Sequence, residues 1–128
     1  DFVGGRCAEI LNNQGKALKH SKILVLGVAY KKDIDDYRES PVLPILDKLT
    51  SAGAEWTAVD PHVKEFRLNG ERVKSFDLAD VDLSDADLVL ITTNHSAFDY
   101  ELIVEKAKLV FDTRNTFVKD VKGTVFSL

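Results

Sequence analysis

Residues 22–59 constrain this chain more than any other stretch, because they read in order as strand, helix and strand. Lys22-Ile-Leu-Val-Leu-Gly27 is a short continuous apolar run closed by glycine, the pattern of a strand buried on both faces. Ser40 offers a side-chain oxygen to an orphan amide at the start of a helix, and Pro41 has no N–H to leave unpaired there. Val42, Leu43, Ile45, Leu46 and Leu49 supply an apolar face, and Gly53 ends the helix. A second strand follows as Ala54–Val59, stopped by Asp60-Pro61. A unit this short closes through a right-handed crossover, so the two strands are parallel.

The alternation continues. Asn69-Gly70, flanked by Phe66, Leu68 and Val73, predicts a tight hairpin turn, and Ser84–Asp87 a short helical turn. Leu88–Thr92 reads as a third buried strand, Asp99–Ala107 as an amphipathic helix with Leu102 and Val104 inward, and Leu109–Phe111 as a fourth strand. Before all of these, Phe2, Val3, Ile10, Leu11 and Leu18 recur at roughly helical spacing, interrupted by Gly4, Gly5 and Gly15. The expected fold is α/β: a Rossmann-like open, mainly parallel sheet with helices on both faces, preceded by an N-terminal helix. The one candidate boundary lies near Ser21, dividing residues 1–20 from a domain over 21–128.

Composition narrows the function. A chain of 128 residues with 45% hydrophobic and 30% charged residues is an ordinary globule of one domain, not a disordered or low-complexity segment. A net charge of −4 gives no footprint for nucleic acid or an anionic membrane, so any bound anion needs a local cluster. The single Cys7 cannot form an internal disulfide and favours a reducing, cytoplasmic setting. No apolar run reaches the roughly 20 residues needed to span a bilayer. The chain starts at Asp1 and has no Met, so a piece of a longer protein is expected.

In open parallel sheets, ligands sit beyond the carboxyl ends of the strands, which directs attention to residues 27–40, 92–99 and 112–116. The first of these loops follows a buried strand and precedes a helix, as a dinucleotide loop does. Its sequence, Gly27-Val-Ala-Tyr-Lys-Lys32, has one glycine and then bulky side chains where that loop needs three glycines. Asp60 is then a turn residue before Pro61. Residues 27–40 carry Lys31, Lys32 and Arg38 among Asp33, Asp35, Asp36 and Glu39, so the acids can hold the bases in place. Lysine suits a phosphate or carboxylate and arginine a pyrophosphate, while surface ion pairs are the plainer reading. A calcium loop would want glycine where Arg38 stands, and no metal site is expected. His95, in Thr92-Thr-Asn-His95, reads as a hydrogen-bonded structural residue or a general acid or base, with no partner evident in the sequence. Arg114, in Asp112-Thr-Arg-Asn115, either reaches the mouth of the crevice or pairs with Asp112. His20 and His62 fall in polar stretches.

These residues carry a resemblance. Ile23 through Pro41, Gly53-Ala54, Asp60-Pro61 and Phe111-Asp-Thr-Arg-Asn115 resemble the C-terminal domain of the UDP-glucose/GDP-mannose dehydrogenase family, over about Ser21 to Phe117. The resemblance implies an enzyme with an N-terminal NAD-binding Rossmann domain, a central helical dimerisation domain, and this domain closing over the nucleotide sugar. Residues 1–20 then resemble the end of the central helix, and the parent protein is a homodimer or higher oligomer. The family oxidises a sugar C6 alcohol to a carboxylate in two NAD-dependent hydride transfers through a cysteine-linked intermediate.

By position, the resemblance assigns Tyr30, Lys31 and Arg114 to the UDP-sugar and Arg38 to the NAD pyrophosphate, and leaves Lys32 on the surface. Gly4-Gly-Arg-Cys7 is similar to the Gly-Gly-Ser-Cys around the family nucleophile, yet Ala8-Glu9 replaces the residues that follow it there. No catalytic role is carried over to Cys7, and the chain by itself is expected to be inactive. Gly27–Asp36 and Thr93–Tyr100 look most like enzymes acting on UDP-N-acetylhexosamines for surface polysaccharides, with UDP-glucose second. The alternative is a free-standing nucleotide-binding or receiver-like module using Asp33, Asp35 and Asp36 around a metal.

Overall fold

The computed structural model describes residues 2–117 and 124–127. Five parallel strands form one sheet in the order β2-β1-β5-β6-β7: β1 (Lys22–Leu26), β2 (Glu55–Val59), β5 (Leu88–Ile91), β6 (Val110–Asp112) and β7 (Val125–Ser127). A separate antiparallel hairpin joins β3 (Glu65–Leu68) to β4 (Glu71–Lys74). Asn69 and Gly70 between them take φ of 53° and 81°, the pair of left-handed residues that a two-residue hairpin turn needs. The Rossmann-like reading holds, with β7 added beyond the last strand that the sequence predicted.

Successive residues of the central strands feed two cores, as a pleated strand covered on both faces requires. Ile23 and Val25 of β1, Leu88 and Leu90 of β5 and Phe111 of β6 pack on one side with α1 (Phe2–Asn12) and α2 (Val42–Ser51). Leu24, Leu26, Val89, Ile91 and Val110 pack on the other side with α3 (Tyr100–Lys106). Cys7, Ile10 and Leu11 of α1 are fully buried in the first core beside Leu46 and Leu49 of α2. Each buried aliphatic side chain contributes about 1.5–3 kcal/mol to that packing.

Helix starts follow the expected chemistry. The Ser40 hydroxyl accepts from the Val42 amide at 3.2 Å, and the Asp99 carboxylate accepts from Leu102 N–H at 3.1 Å. In α3 it is Ile103 that is fully buried, with Leu102 and Val104 only half-buried, so the inward face is one residue off the sequence reading. A helical turn does form in the linker, at Leu78–Asp80 rather than at Ser84–Asp87. At the latter, Asp82 instead folds a tight turn by accepting from the Ser84 amide and hydroxyl.

From β1 the chain passes to β2 on one side and later to β5 on the other, so strand order reverses at β1. The crevice of such a fold opens there, beyond the carboxyl ends of β1 and β5.

Candidate functional site

The turn after β1 is built around Gly27. Its φ is 105°, and a Cβ placed on it would lie 2.3 Å from Thr93 Cβ and 2.5 Å from Thr93 N. This glycine serves a close approach between the β1 and β5 loops, not the approach of a ligand. Thr92 and Thr93 complete the seam, their hydroxyls donating to the Gly27 and Ala29 carbonyls at 2.6 and 2.9 Å.

Beyond Gly27, the amides of Val28 and Ala29 point at one carboxylate oxygen, Oδ2 of Asp60, at 2.8 and 3.1 Å. In a dinucleotide fold, backbone N–H groups in this position hold a pyrophosphate. Here a side chain from the end of β2 holds them. Asp60 is 1% exposed and is far more than the turn residue its sequence context predicts. Its Oδ1 accepts from His62 and Val63 N–H at 2.8 and 3.0 Å, and its Oδ2 also meets His95 Nε2 at 2.9 Å. Burial alone would raise this carboxyl. The hydrogen bonds from His95 and from the Val28, His62 and Val63 amides outweigh it and hold the carboxyl at about 2.

His95 is fully buried, and its partners fix its tautomer. Nδ1 accepts from the Asp33 amide at 2.8 Å, so the ring proton lies on Nε2 and is donated to Asp60. The structural reading of His95 therefore holds, with a partner 35 positions away that the sequence could not show. Asp33 returns the link by accepting from Ser96 N–H and Oγ–H, both at 2.7 Å. Asp33, His62 and His95 place potential ligand atoms within 4.8 Å of one another. Both His95 nitrogens are committed, however, and two exposed donors remain. Two of the three acids of the receiver-like alternative are engaged in the same way, since Asp33 serves Ser96 and Asp36 serves Arg38.

The predicted ligand residues lie on the loops that follow β1 and β6. Tyr30 is half exposed and shares a shallow cleft of about 540 Å³ with Asp36, Arg38 and Glu39. Arg38 grips Asp36 with two guanidinium contacts, at 3.0 and 3.1 Å, in an exposed pair. Lys31 and Lys32 are exposed, and neither forms an ion pair among the described residues. Arg114 lies on the β6 loop, outside that cleft. Asp112 does not pair with its guanidinium: buried, the carboxylate accepts from the backbone amides of Arg114, Thr116 and Phe117 at 3.0, 2.7 and 3.0 Å. The sequence expectation that acids hold the bases is met for Arg38 only. A further cavity of about 480 Å³, lined by Lys22, Trp56, Phe76 and Asp82 among others, reaches the amino-terminal ends of β1 and β2, away from these loops.

The family model for the UDP-glucose/GDP-mannose dehydrogenase family, UDP binding domain, matches residues 24–119. The chain belongs to this family. It is 31% identical over 120 residues to a UDP-N-acetyl-D-mannosamine dehydrogenase of Methanococcus maripaludis, covering 85% of this chain and 26% of that protein. It is 31% identical over 121 residues to a UDP-glucose 6-dehydrogenase of Rhizobium meliloti, covering 88% of this chain and 27% of that one. Its fold matches the structure of UDP-D-ManNAc dehydrogenase from Pyrococcus horikoshii with a TM-score of 0.78 at 26% identity, over 98% of this chain and 29% of that one. The chain thus spans about a quarter of the length of the curated relatives it matches.

As the UDP binding domain of this family, the chain has a consistent electrostatic design. Its internal anion hole is filled by Asp60, and among the described residues Lys31 and Arg114, on loops at the carboxyl ends of the strands, form no ion pair. The family implies NAD as well. The donors here fit no more than one contact to a pyrophosphate, through Arg38, because the backbone amides that could cradle one are taken. Cys7 is fully buried and its thiol is pushed up to about 12 by burial, which keeps it protonated and unreactive.

Proposed function

We propose that this chain is the nucleotide-sugar-binding domain of an NAD-dependent UDP-sugar 6-dehydrogenase, of the kind that acts on UDP-N-acetylhexosamines. Tyr30, Lys31 and Arg114 bind the UDP-sugar, and Arg38 reaches the NAD pyrophosphate. The parent protein is a cytoplasmic homodimer or higher oligomer serving polysaccharide synthesis. Residues 1–20 are the end of its central helix, and residues 21–128 are the domain that closes the cleft.

The observation that supports this reading is that Lys31 and Arg114 form no ion pair among the described residues, on loops whose backbone amides donate to the buried carboxylates Asp60 and Asp112 instead. Such cations stabilise two phosphate groups best where a closed cleft reduces screening by water. NAD, when bound, accepts the hydride from the sugar. The chain's own residues bind and orient: Tyr30 offers a ring face and a hydroxyl, Lys31 and Arg114 neutralise the diphosphate, and Arg38 exchanges Asp36 for phosphate oxygens. With Cys7 buried and protonated, the chain supplies binding and not the nucleophile.

Calorimetric titration of the parent protein tests the assignment. Losing a charge-assisted contact costs about 1.5–3 kcal/mol, roughly ten- to a hundredfold in affinity. Arg114→Ala should weaken UDP-sugar far more than NAD, and Arg38→Ala the reverse. Unchanged affinities accompanied by lower melting temperatures would overturn both roles.

A further inference from the structure

We propose that Asp60 and His95 are positioning residues that each pin one end of the loop tip carrying Tyr30 and Lys31 and so present those side chains to the nucleotide. The inference rests on the reading of Tyr30 and Lys31 as UDP-sugar contacts.

The juxtaposition is specific. On the near side of the tip, Asp60 Oδ2 holds the amides of Val28 and Ala29. On the far side, His95 Nδ1 holds the amide of Asp33 at 2.8 Å. Only Tyr30, Lys31 and Lys32 lie between these anchors. The two anchors are joined directly, because His95 Nε2 donates to the same Asp60 oxygen at 2.9 Å. The far anchor works against backbone preference, since Asp33 has a φ of 62°, a left-handed conformation unfavourable for a residue with a Cβ. Two bonds from Ser96 to its carboxylate add to the restraint. Neither Asp60 nor His95 is exposed, so neither meets the nucleotide itself. A loop already fixed in its binding geometry loses less conformational freedom when the ligand arrives.

The two ring nitrogens can be tested separately. In His95→Asn the amide oxygen falls near the place of Nδ1 and can still accept from Asp33 N–H, while the link to Asp60 is lost. In His95→Gln the longer side chain reaches towards Asp60, and the Asp33 amide loses its acceptor. The experiment titrates UDP into the chain by calorimetry and follows amide hydrogen exchange at Asp33 in both variants, in Lys31→Ala and in the unaltered chain, with melting measured in parallel. We expect His95→Asn to bind UDP within about threefold of the unaltered chain and to keep the Asp33 amide protected. His95→Gln should bind at least about tenfold more weakly, with Asp33 exchanging at least about tenfold faster. Lys31→Ala should lose affinity with Asp33 exchange unchanged. Equal affinities in the two His95 variants, or losses that track melting temperature alone, would overturn the positioning role even if Lys31→Ala confirms the UDP contact. If instead Asp33 exchange separates Gln from Asn while Lys31→Ala binds UDP normally, the pinned loop stands and the UDP assignment of Lys31 falls.

Discussion

The Asp60 carboxylate accepts the Val28 amide proton at 2.8 Å, in the place where a dinucleotide-binding turn receives a phosphate. A fold built for pyrophosphate capture thus carries its own anion. The consequence for stability has a definite sign. Asp60 titrates at about 2 in the folded chain against an ordinary value of 3.8, so ionised Asp60 favours folding by about 2 kcal/mol. That contribution is complete above pH 3.8, declines as pH falls through the folded value, and is absent below it. Asp60→Asn should therefore be destabilised at pH 7, and its deficit should shrink as pH falls from 4 towards 2. Urea unfolding of both proteins across that range checks this. A deficit independent of pH would show that the charge is not what matters.

Gly27 offers a second prediction. An alanine there meets Thr93 at 2.3–2.7 Å and must hold φ at 105°. The clash involves Thr93 backbone atoms, which cannot swing aside as a flexible side chain would. Overpacking and left-handed strain together exceed about 3 kcal/mol, so Gly27→Ala should fold poorly or not at all. A melting temperature within a few degrees of the unaltered chain would contradict the close approach.

Much of this arrangement was legible in the sequence. Strands such as Ile23–Leu26 and Leu88–Ile91 announce themselves because burial on both faces demands unbroken apolar runs, and the Ser40-Pro41 start is local chemistry. The lack of three glycines argues against a dinucleotide loop, and the Val28 and Ala29 amides there donate to Asp60. What replaced the phosphate was not legible. Asp60 is 32 positions from Val28 and 35 from His95, and nothing local distinguishes a carboxylate that ends a strand from one that also caps a neighbouring turn. Asp60-Pro61 looks like a turn and is one, since Asp60 does accept from His62 N–H. The pairing of Arg114 with Asp112 failed for a related reason: a carboxylate this deeply buried satisfies nearby amides before it can reach a solvated guanidinium.

Cys7 supplies a third test. Fully buried in the α1 core and with its thiol at about 12, it should resist a thiol reagent at pH 8 until the chain unfolds. On the proposed function, Cys7→Ser in the parent protein should leave turnover within a few-fold. Rapid labelling of the native chain, or a loss of about a thousandfold, the scale on which a catalytic group matters, would place chemistry at α1 after all. For the same reason the chain alone should produce no NADH from any UDP-sugar.

On the proposed function, this sheet edge binds a uridine nucleotide through loop side chains while its backbone anion hole is closed. The most direct measurement titrates UDP and then NAD into the isotopically labelled chain and follows the backbone amide signals. UDP should move Tyr30, Lys31 and Arg114, and NAD at equal concentration should leave Val28 and Ala29 where Asp60 holds them. If NAD shifts Val28 and Ala29, or UDP leaves Tyr30, Lys31 and Arg114 unmoved, the account is contradicted.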